Sequence, residues 1–150
     1  MTKARKEHWR ALEVMYLASP INRIYEPSID VGLETAEIGI EVGEHFFHAG
    51  GATHGSVTWK MLDDAAFLAA ASVVEDVFIL TTSFTSYLTR PVSKGSLRSV
   101  GTVVTRNRRQ IIAEAVAFDH AGREVARGSG MFVKSRMKLA ELPLYAGAKV

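Results

Sequence analysis

The segment from residue 54 to residue 74 constrains the fold of this chain more than any other. It contains no glycine or proline after Gly55, and its apolar residues and alanines point in nearly every direction around a helix. A helix that is apolar on all sides must be enclosed on all sides. In a chain of 150 residues, the enclosure must come from a curled sheet, a partner subunit or both.

Four runs of strand length follow this helix and are rich in Val, Ile, Thr and Phe. The predicted strands cover residues 77–87, 96–106, 110–119 and 124–134. Turn signals between them predict an antiparallel meander. A loosely alternating segment over residues 33–42 predicts one further strand before the helix. The pattern predicts an α+β fold in which an antiparallel sheet wraps one central helix.

The N-terminal region predicts an amphipathic helix over residues 3–18. Trp9, Leu12, Met15 and Tyr16 fall on one stripe of that helix, and Pro20 requires it to end. Residues 21–27 are predicted to be a connector, and the tail after Arg136 is predicted to be loosely held. We expect a single domain over residues 1–150, with its core at about 30–135.

Composition excludes several classes of protein. Apolar residues make up 47% of the chain and charged residues 23%, as in ordinary globular domains. The net charge of +2 argues against a nucleic-acid partner, and the absence of cysteine excludes disulfides and thiolate chemistry. The longest apolar run is half the length of a membrane span, and no signal-peptide core follows the basic N-terminus. We therefore expect a cytoplasmic protein without a membrane partner.

Asp63 and Asp64 stand out because ionised carboxylates are costly on an apolar helix. Successive helical residues point about 100° apart, so the two side chains should have different roles. One interpretation gives one of them a chemical function. The other places both where the helix meets solvent or an arginine.

The segment just before the helix, residues 48–56, is rich in glycine and histidine. Glycines let a backbone approach a ligand closely, and the first amides of a helix favour an oxyanion. The alternative is a tight turn capped by Thr53 or Ser56. Asp63 would lie roughly 12 Å along the axis from Gly55, so it need not serve the Gly55 amide of its own subunit, and a two-fold dimer could bring the two groups together.

Three other groups of residues could in principle bind a metal, act as a nucleophile or bind phosphate. His45, His48 and His54 match no standard zinc spacing, so no metal site is predicted. Ser56 lacks the surroundings of a nucleophile elbow. The arginines at one predicted turn fit either phosphate binding or a solvated hairpin tip. They are Arg106, Arg108 and Arg109.

Three motifs resemble those of hotdog-fold acyl-CoA thioesterases of the phenylacetate-pathway (PaaI-like) type, within the 4-hydroxybenzoyl-CoA thioesterase superfamily. His54-Gly55-Ser56 with Met-Leu-Asp-Asp-Ala-Ala at 61–66 resembles the signature H-G-G-x4-L-x-D-x-A. Residues 87–91, Tyr-Leu-Thr-Arg-Pro, and the hairpin at 121–126 resemble the family's Y-L-x-P and G-x-x-V-A patterns. The likeness spans roughly residues 30–135, in the order that the fold requires.

The resemblance implies a thioester hydrolase that needs no cofactor beyond the CoA of its substrate. Asp63 would be the catalytic carboxylate, acting as general base or nucleophile, and the Gly55 amide would stabilise the oxyanion. His54 would help to position the thioester. Thr81 would hold the water, or Thr82 would do so if the loop is shifted by one residue.

The chain departs from the family pattern at three positions. His48 is a candidate catalytic residue, because it stands where the family usually has the asparagine that would orient water or substrate. Ser56 replaces the second glycine, and Asp64 is an extra acid that would raise the pKa of Asp63. The resemblance also implies a homodimer or dimer of dimers, with acyl-CoA bound between subunits. The residues expected to contact substrate are Ser56, Asp64, Thr82, Arg106, Arg108 and Arg109.

Two alternatives from other classes stay open at this point. One is a non-catalytic protein that binds acyl-CoA or another small ligand, since a fold does not fix a function. The other is a hotdog enoyl-CoA hydratase or dehydratase. The aromatic residues that could line an acyl pocket are more simply assigned to core packing. They are Phe46, Phe47, Trp59 and Phe67.

Overall fold

The computed structural model describes residues 2–149, and the side chain of Lys149 is left out of the description. The α-helices within these residues are α1 (Lys3–Ala18), α2 (Asn22–Tyr25), α3 (Gly55–Ala71) and α4 (Pro143–Ala146). The strands are β1 (Ser28–Gly32), β2 (Thr35–Glu41), β3 (Val77–Leu88), β4 (Ser96–Arg106), β5 (Gln110–Asp119) and β6 (Glu124–Lys138). The α+β prediction is confirmed, and the predicted central helix and four later strands lie within a few residues of their predicted ends.

The six strands form one antiparallel sheet in the order β1-β2-β4-β5-β6-β3. The sheet curls around α3, as predicted. The simple meander is wrong at its first step, because β3 pairs with β6 and forms an edge of the sheet. The connection over residues 89–95 carries the chain from β3 across to β4, which lies beside β2. Two backbone hydrogen bonds hold this connection in place. The Val92 carbonyl accepts from the Thr53 amide, and the Gly95 carbonyl accepts from the Val42 amide.

The predicted strand over residues 33–42 is in fact the second half of a hairpin. β1 and β2 are joined by a two-residue turn in which Glu34 has a φ of 59°. This left-handed conformation usually calls for glycine or asparagine, so the turn carried no recognisable signal. For the same reason β1 was missed. The short helix α2 also lies in the segment that was predicted to be a connector.

The central helix packs closely against the sheet at Gly101 on β4. A Cβ atom at this position would lie 2.1 Å from the Ala65 carbonyl oxygen, so only glycine allows the contact. Ala65, Ala66 and the alanines at 69 and 70 are fully buried. The prediction of a helix enclosed on nearly all sides is confirmed.

Helix α1 has the predicted bounds and packs against the C-terminal end of α3. The Trp9 indole donates to the Ser72 carbonyl at 3.0 Å, and His8 is hydrogen-bonded to the Ala71 carbonyl at 2.9 Å. The other His8 nitrogen is 2.7 Å from the Tyr145 hydroxyl. The expected loose tail after Arg136 is therefore wrong, because Tyr145 and Leu139 are only 2% exposed. Across residues 2–149, none of the helices has the length and apolar character needed to cross a bilayer.

Candidate functional site

Asp63 lies half-buried on α3, facing the start of β3. The Thr81 hydroxyl donates to Asp63 Oδ1 at 2.9 Å, whereas Asp63 Oδ2 has no hydrogen-bond partner within residues 2–149. Burial raises the pKa of Asp63 to about 6, against the lowering effect of the Thr81 hydrogen bond. Asp64 raises that pKa further, as the extra acid was expected to do, and Lys60 lowers it. One carboxylate oxygen is thus oriented while the other is left for a ligand.

The structure distinguishes between the two threonines considered as partners of this acid. Successive residues of a strand point to opposite faces. Thr81 points toward α3, and the Thr82 hydroxyl instead donates to the Met131 carbonyl at 3.1 Å. Of the two threonines, it is therefore Thr81 whose hydroxyl contacts Asp63.

The raised pKa of Asp63 predicts a dependence of stability on pH that needs no assumption about function. The native carboxyl titrates near pH 6, and the unfolded one near its ordinary 3.8. Below both pKa values the carboxyl is neutral in the folded and the unfolded state, and its burial does not destabilise the fold. As the pH rises through 6 the folded state must hold a half-buried charge, so stability is lost. We therefore expect Asp63→Asn to raise the melting temperature at pH 7.5 by several degrees more than at pH 4.

Thermal unfolding of both proteins across this pH range checks the prediction. The exposed acid Asp76, at the end of the loop after α3, provides the control substitution Asp76→Asn. A melting-temperature difference between wild type and Asp63→Asn that is the same at both pH values would contradict it.

Asp64 points away from Asp63 and is held by the N-terminal segment. The Tyr16 hydroxyl donates to Asp64 Oδ2 at 2.7 Å, and the Lys60 ammonium group contacts the same oxygen. Lys60 also donates to the Asn22 side-chain oxygen at 2.9 Å. Burial, with a further contribution from Asp64, raises the pKa of Tyr16 and keeps its hydroxyl protonated. The expectation that the two acids have different roles agrees with these different partners.

The N-cap of α3 is neither of the two residues predicted for it. His54, rather than Thr53 or Ser56, is the N-cap, and its Nδ1 accepts the Ser56 amide at 3.0 Å. The Ser56 hydroxyl lies 2.7 Å from the same nitrogen. A histidine ring rarely caps a helix, so the usual cap signal was absent. The Gly55 N–H, by contrast, makes no hydrogen bond within the part of the chain that the structure describes.

A small cavity lies beside the Gly55 amide. His48, Thr53, Thr58 and Arg90 are among the residues that line it. His48 accepts the Gly50 amide at 2.9 Å through its Nδ1, which fixes the ring next to the glycine loop. Arg90 forms no ion pair within residues 2–149 and was overlooked, although it stands inside the quoted Tyr-Leu-Thr-Arg-Pro motif.

The free amide lies at the N-terminal end of α3, and the free carboxylate oxygen lies at the middle of the same helix. Eight residues separate Gly55 from Asp63, which corresponds to about 12 Å along the axis. A second cavity, of about 290 Å³ and largely apolar, opens at Asp63 and Thr81. One chain therefore brings Asp63 and Thr81 together but holds the Gly55 amide at a separate cavity. These two places are called here the Asp63 half-site and the Gly55 half-site.

The arginine cluster lies away from the Gly55 half-site. Arg106 pairs with Glu34 at 3.1 Å, and the Glu34 amide donates to Ser72, the residue after α3. Arg108 and Arg109 are exposed at the tip of the β4–β5 hairpin. The cluster thus lies near the C-terminal end of α3, almost a helix length from the Gly55 amide of the same chain.

The remaining candidates from the sequence are the three loop histidines and the aromatic residues considered for an acyl pocket. The three loop histidines are not part of any group of three or more His, Asp or Glu side chains that could hold a metal, as far as residues 2–149 are concerned. Phe46 is buried and stacks on Tyr25, as core packing requires. Phe67 lines the cavity at Asp63, and Trp59 is partly exposed.

Searches with family models and against curated proteins found no match for this sequence. Solved structures do match. Escherichia coli PaaI, from the phenylacetic acid degradation operon, has a TM-score of 0.81 at 15% identity, with 89% of this chain and 97% of that chain covered. A thioesterase family protein from Silicibacter pomeroyi has a TM-score of 0.77 at 20% identity, with 85% and 96% covered.

A Staphylococcus aureus thioesterase, solved as a mutant, gives a TM-score of 0.73 at 14% identity, covering 77% of this chain and 98% of that chain. At such identities the similarity establishes the architecture and leaves the chemistry to the residues. The chain has the hotdog fold of the PaaI-like and thioesterase-superfamily structures.

Proposed function

We propose that this chain is an acyl-CoA thioesterase that hydrolyses a thioester to a free acid and CoA. The observation that carries the proposal is the carboxylate of Asp63, which is oriented by Thr81 and has one free oxygen at an apolar cavity. A pKa of about 6 suits a group that must accept a proton near neutral pH. The naming of the structural neighbours as thioesterases supports the same reaction class.

The proposed reaction requires the two half-sites of different subunits. Asp63 of one copy takes a proton from water as the water oxygen bonds to the thioester carbonyl carbon. The Gly55 amide of the second copy donates to the oxygen that becomes negative. The C–S bond then breaks, and the proton moves from Asp63 to the departing CoA thiolate. Alternatively, Asp63 attacks the carbonyl carbon itself, the C–S bond breaks and CoA leaves as the thiolate, and water then cleaves the resulting anhydride to the free acid and the Asp63 carboxylate.

The edge strand β3 supports a two-fold assembly of this kind. It carries exposed Leu80, Tyr87 and Leu88, an unusual apolar surface for an unpaired edge. Thr81 on this strand contacts Asp63, and Leu88 lies against Gly55. Pairing two β3 strands antiparallel across a two-fold axis would place Asp63 and Thr81 of one subunit beside the Gly55 amide of the other. Arg90 would then be available to the anionic part of CoA.

The test is the release of free CoA thiol from short-chain, long-chain and aromatic acyl-CoAs, together with their binding. The thioesterase proposal predicts thiol release on part of the panel, with kcat/KM falling below about pH 6 as Asp63 becomes protonated. Tight acyl-CoA binding without turnover would identify a binding protein instead. Addition of water to an enoyl-CoA without thiol release would identify a hydratase.

A further inference from the structure

The cavity beside Asp63 has one wall that does not belong to the sheet or to the central helix. Met15, Ser19, Ile21 and Asn22 line it from the end of α1 and the turn that follows. The opposite side is formed by α3 and the first residues of β3. The N-terminal segment, defined here as residues 15–22, therefore decides how much space is left next to the carboxylate.

The lining of the cavity selects for apolar groups. Its floor is made by buried Leu68 and Ile79, and Phe67 and Phe78 stand side by side with ring centroids 5.5 Å apart. The volume of about 290 Å³ is roughly twice that of an engineered apolar cavity that holds benzene. An acyl chain of roughly six to ten carbons, or an aryl-acetyl group, fits a space of that size.

The N-terminal segment is fixed in place by polar contacts. Tyr16 donates to Asp64, and Asn22 accepts from Lys60, so the segment is held at two points one helical turn apart on α3. The Lys60 ammonium group also lies 5.4 Å from the Tyr16 ring centroid and 4.8 Å from that of Tyr25. Such cation–π contacts add to the attachment where the lysine is mostly withdrawn from water, as here, with 12% of its side chain exposed.

We propose that the N-terminal segment is the specificity-determining wall of an acyl pocket, with Ile21 at its mouth. The inference rests on the proposed function, because the thioester carbonyl must sit at Asp63 for the acyl group to extend into this cavity. Ile21 is 54% exposed and Met15 is buried, so acyl carbons would pass Ile21 first and reach Met15 last. Asp64, which also lines the cavity, then serves to hold the wall through Tyr16.

The test measures binding of acetyl-, hexanoyl-, octanoyl- and phenylacetyl-CoA to proteins in the Asp63→Asn background, so that nothing is turned over. Affinity should rise about fourfold per buried methylene until the cavity is full. Ile21→Trp should weaken octanoyl-CoA binding at least tenfold and leave acetyl-CoA binding within about twofold. Ile24, three residues later, is 64% exposed and does not line the cavity, so Ile24→Trp is the matched control.

The outcomes separate this inference from the proposed function. Chain-length-dependent binding that responds to Ile21→Trp, without any hydrolysis by the wild type, would keep the pocket and reject the thioesterase. Hydrolysis by the wild type with acyl binding that Ile21→Trp leaves unchanged, or changes equally for acetyl and octanoyl, would reject the pocket. Loss of binding in the Ile24→Trp control to the same degree would also overturn it.

Discussion

Asp63→Asn is expected to lower kcat for acyl-CoA hydrolysis by about 10²- to 10⁴-fold, the contribution of a positioned general base. Asparagine keeps the shape of the side chain and can still accept from the Thr81 hydroxyl, but it cannot take a proton from water or form an anhydride. The fold should persist, because the substitution removes a half-buried charge. Thiol release and circular dichroism on the same preparations check both parts.

The exposed Asp76 again supplies the control. Asp76→Asn should leave kcat unchanged and so separate the effect of Asp63 from a general loss of negative charge. Hydrolysis by Asp63→Asn at more than one tenth of the wild-type rate would remove Asp63 from the reaction.

Activity is expected to return when two inactive variants assemble with each other. Gly55→Pro removes the free amide while proline suits the first helical position, so the helix should still form. In a mixed dimer with Asp63→Asn, one site keeps both Asp63 and the Gly55 amide. Random mixing should restore about a quarter of wild-type activity, because half of the dimers are mixed and each has one intact site.

Two controls make this experiment decisive. Gly55→Ala adds the same Cβ atom, 3.2 Å from Leu88, but keeps the amide, so it should retain most activity. A mixture of Asp63→Asn with the double variant Asp63→Asn/Gly55→Pro contains no intact site and should stay inactive. If purified mixed dimers show no more activity than the separate variants, the half-sites do not combine across subunits.

The fold could be predicted because the central helix left few alternatives. A helix with apolar residues all round, followed by strand-like runs, requires a curled sheet, and both were found. The sheet order could not be predicted, because turn signals show where a strand ends but not which strand it joins. β3 and β4 are consecutive in sequence yet lie apart in the sheet.

The predicted site residues were found through the sequence motif, and Arg90 lies inside one of its quoted parts. The contact of Tyr16 with Asp64, by contrast, has no local pattern in the sequence. Asp63 and Thr81 are 18 residues apart and meet through a strand-to-helix contact that the family resemblance suggested. Lys60 meets Asp64 through the i,i+4 spacing of α3, whereas Tyr16 meets it only because α1 folds back along α3. No spacing within the chain encodes that approach, so the attachment of the N-terminal segment became apparent only from the structure.

The contact between Gly101 and the backbone of Ala65 limits how relatives of this chain can diverge. The helix cannot move away from the sheet at that point without losing the contact, or toward it without a steric clash, and Ala65 is two residues from Asp63. For the proposed thioesterase, a change in preferred substrate is therefore easier to reach by exchanging side chains in the N-terminal segment than by shifting the helix. Substitutions in the N-terminal segment can alter which groups enter the cavity, while the position of Asp63 in the cavity stays the same.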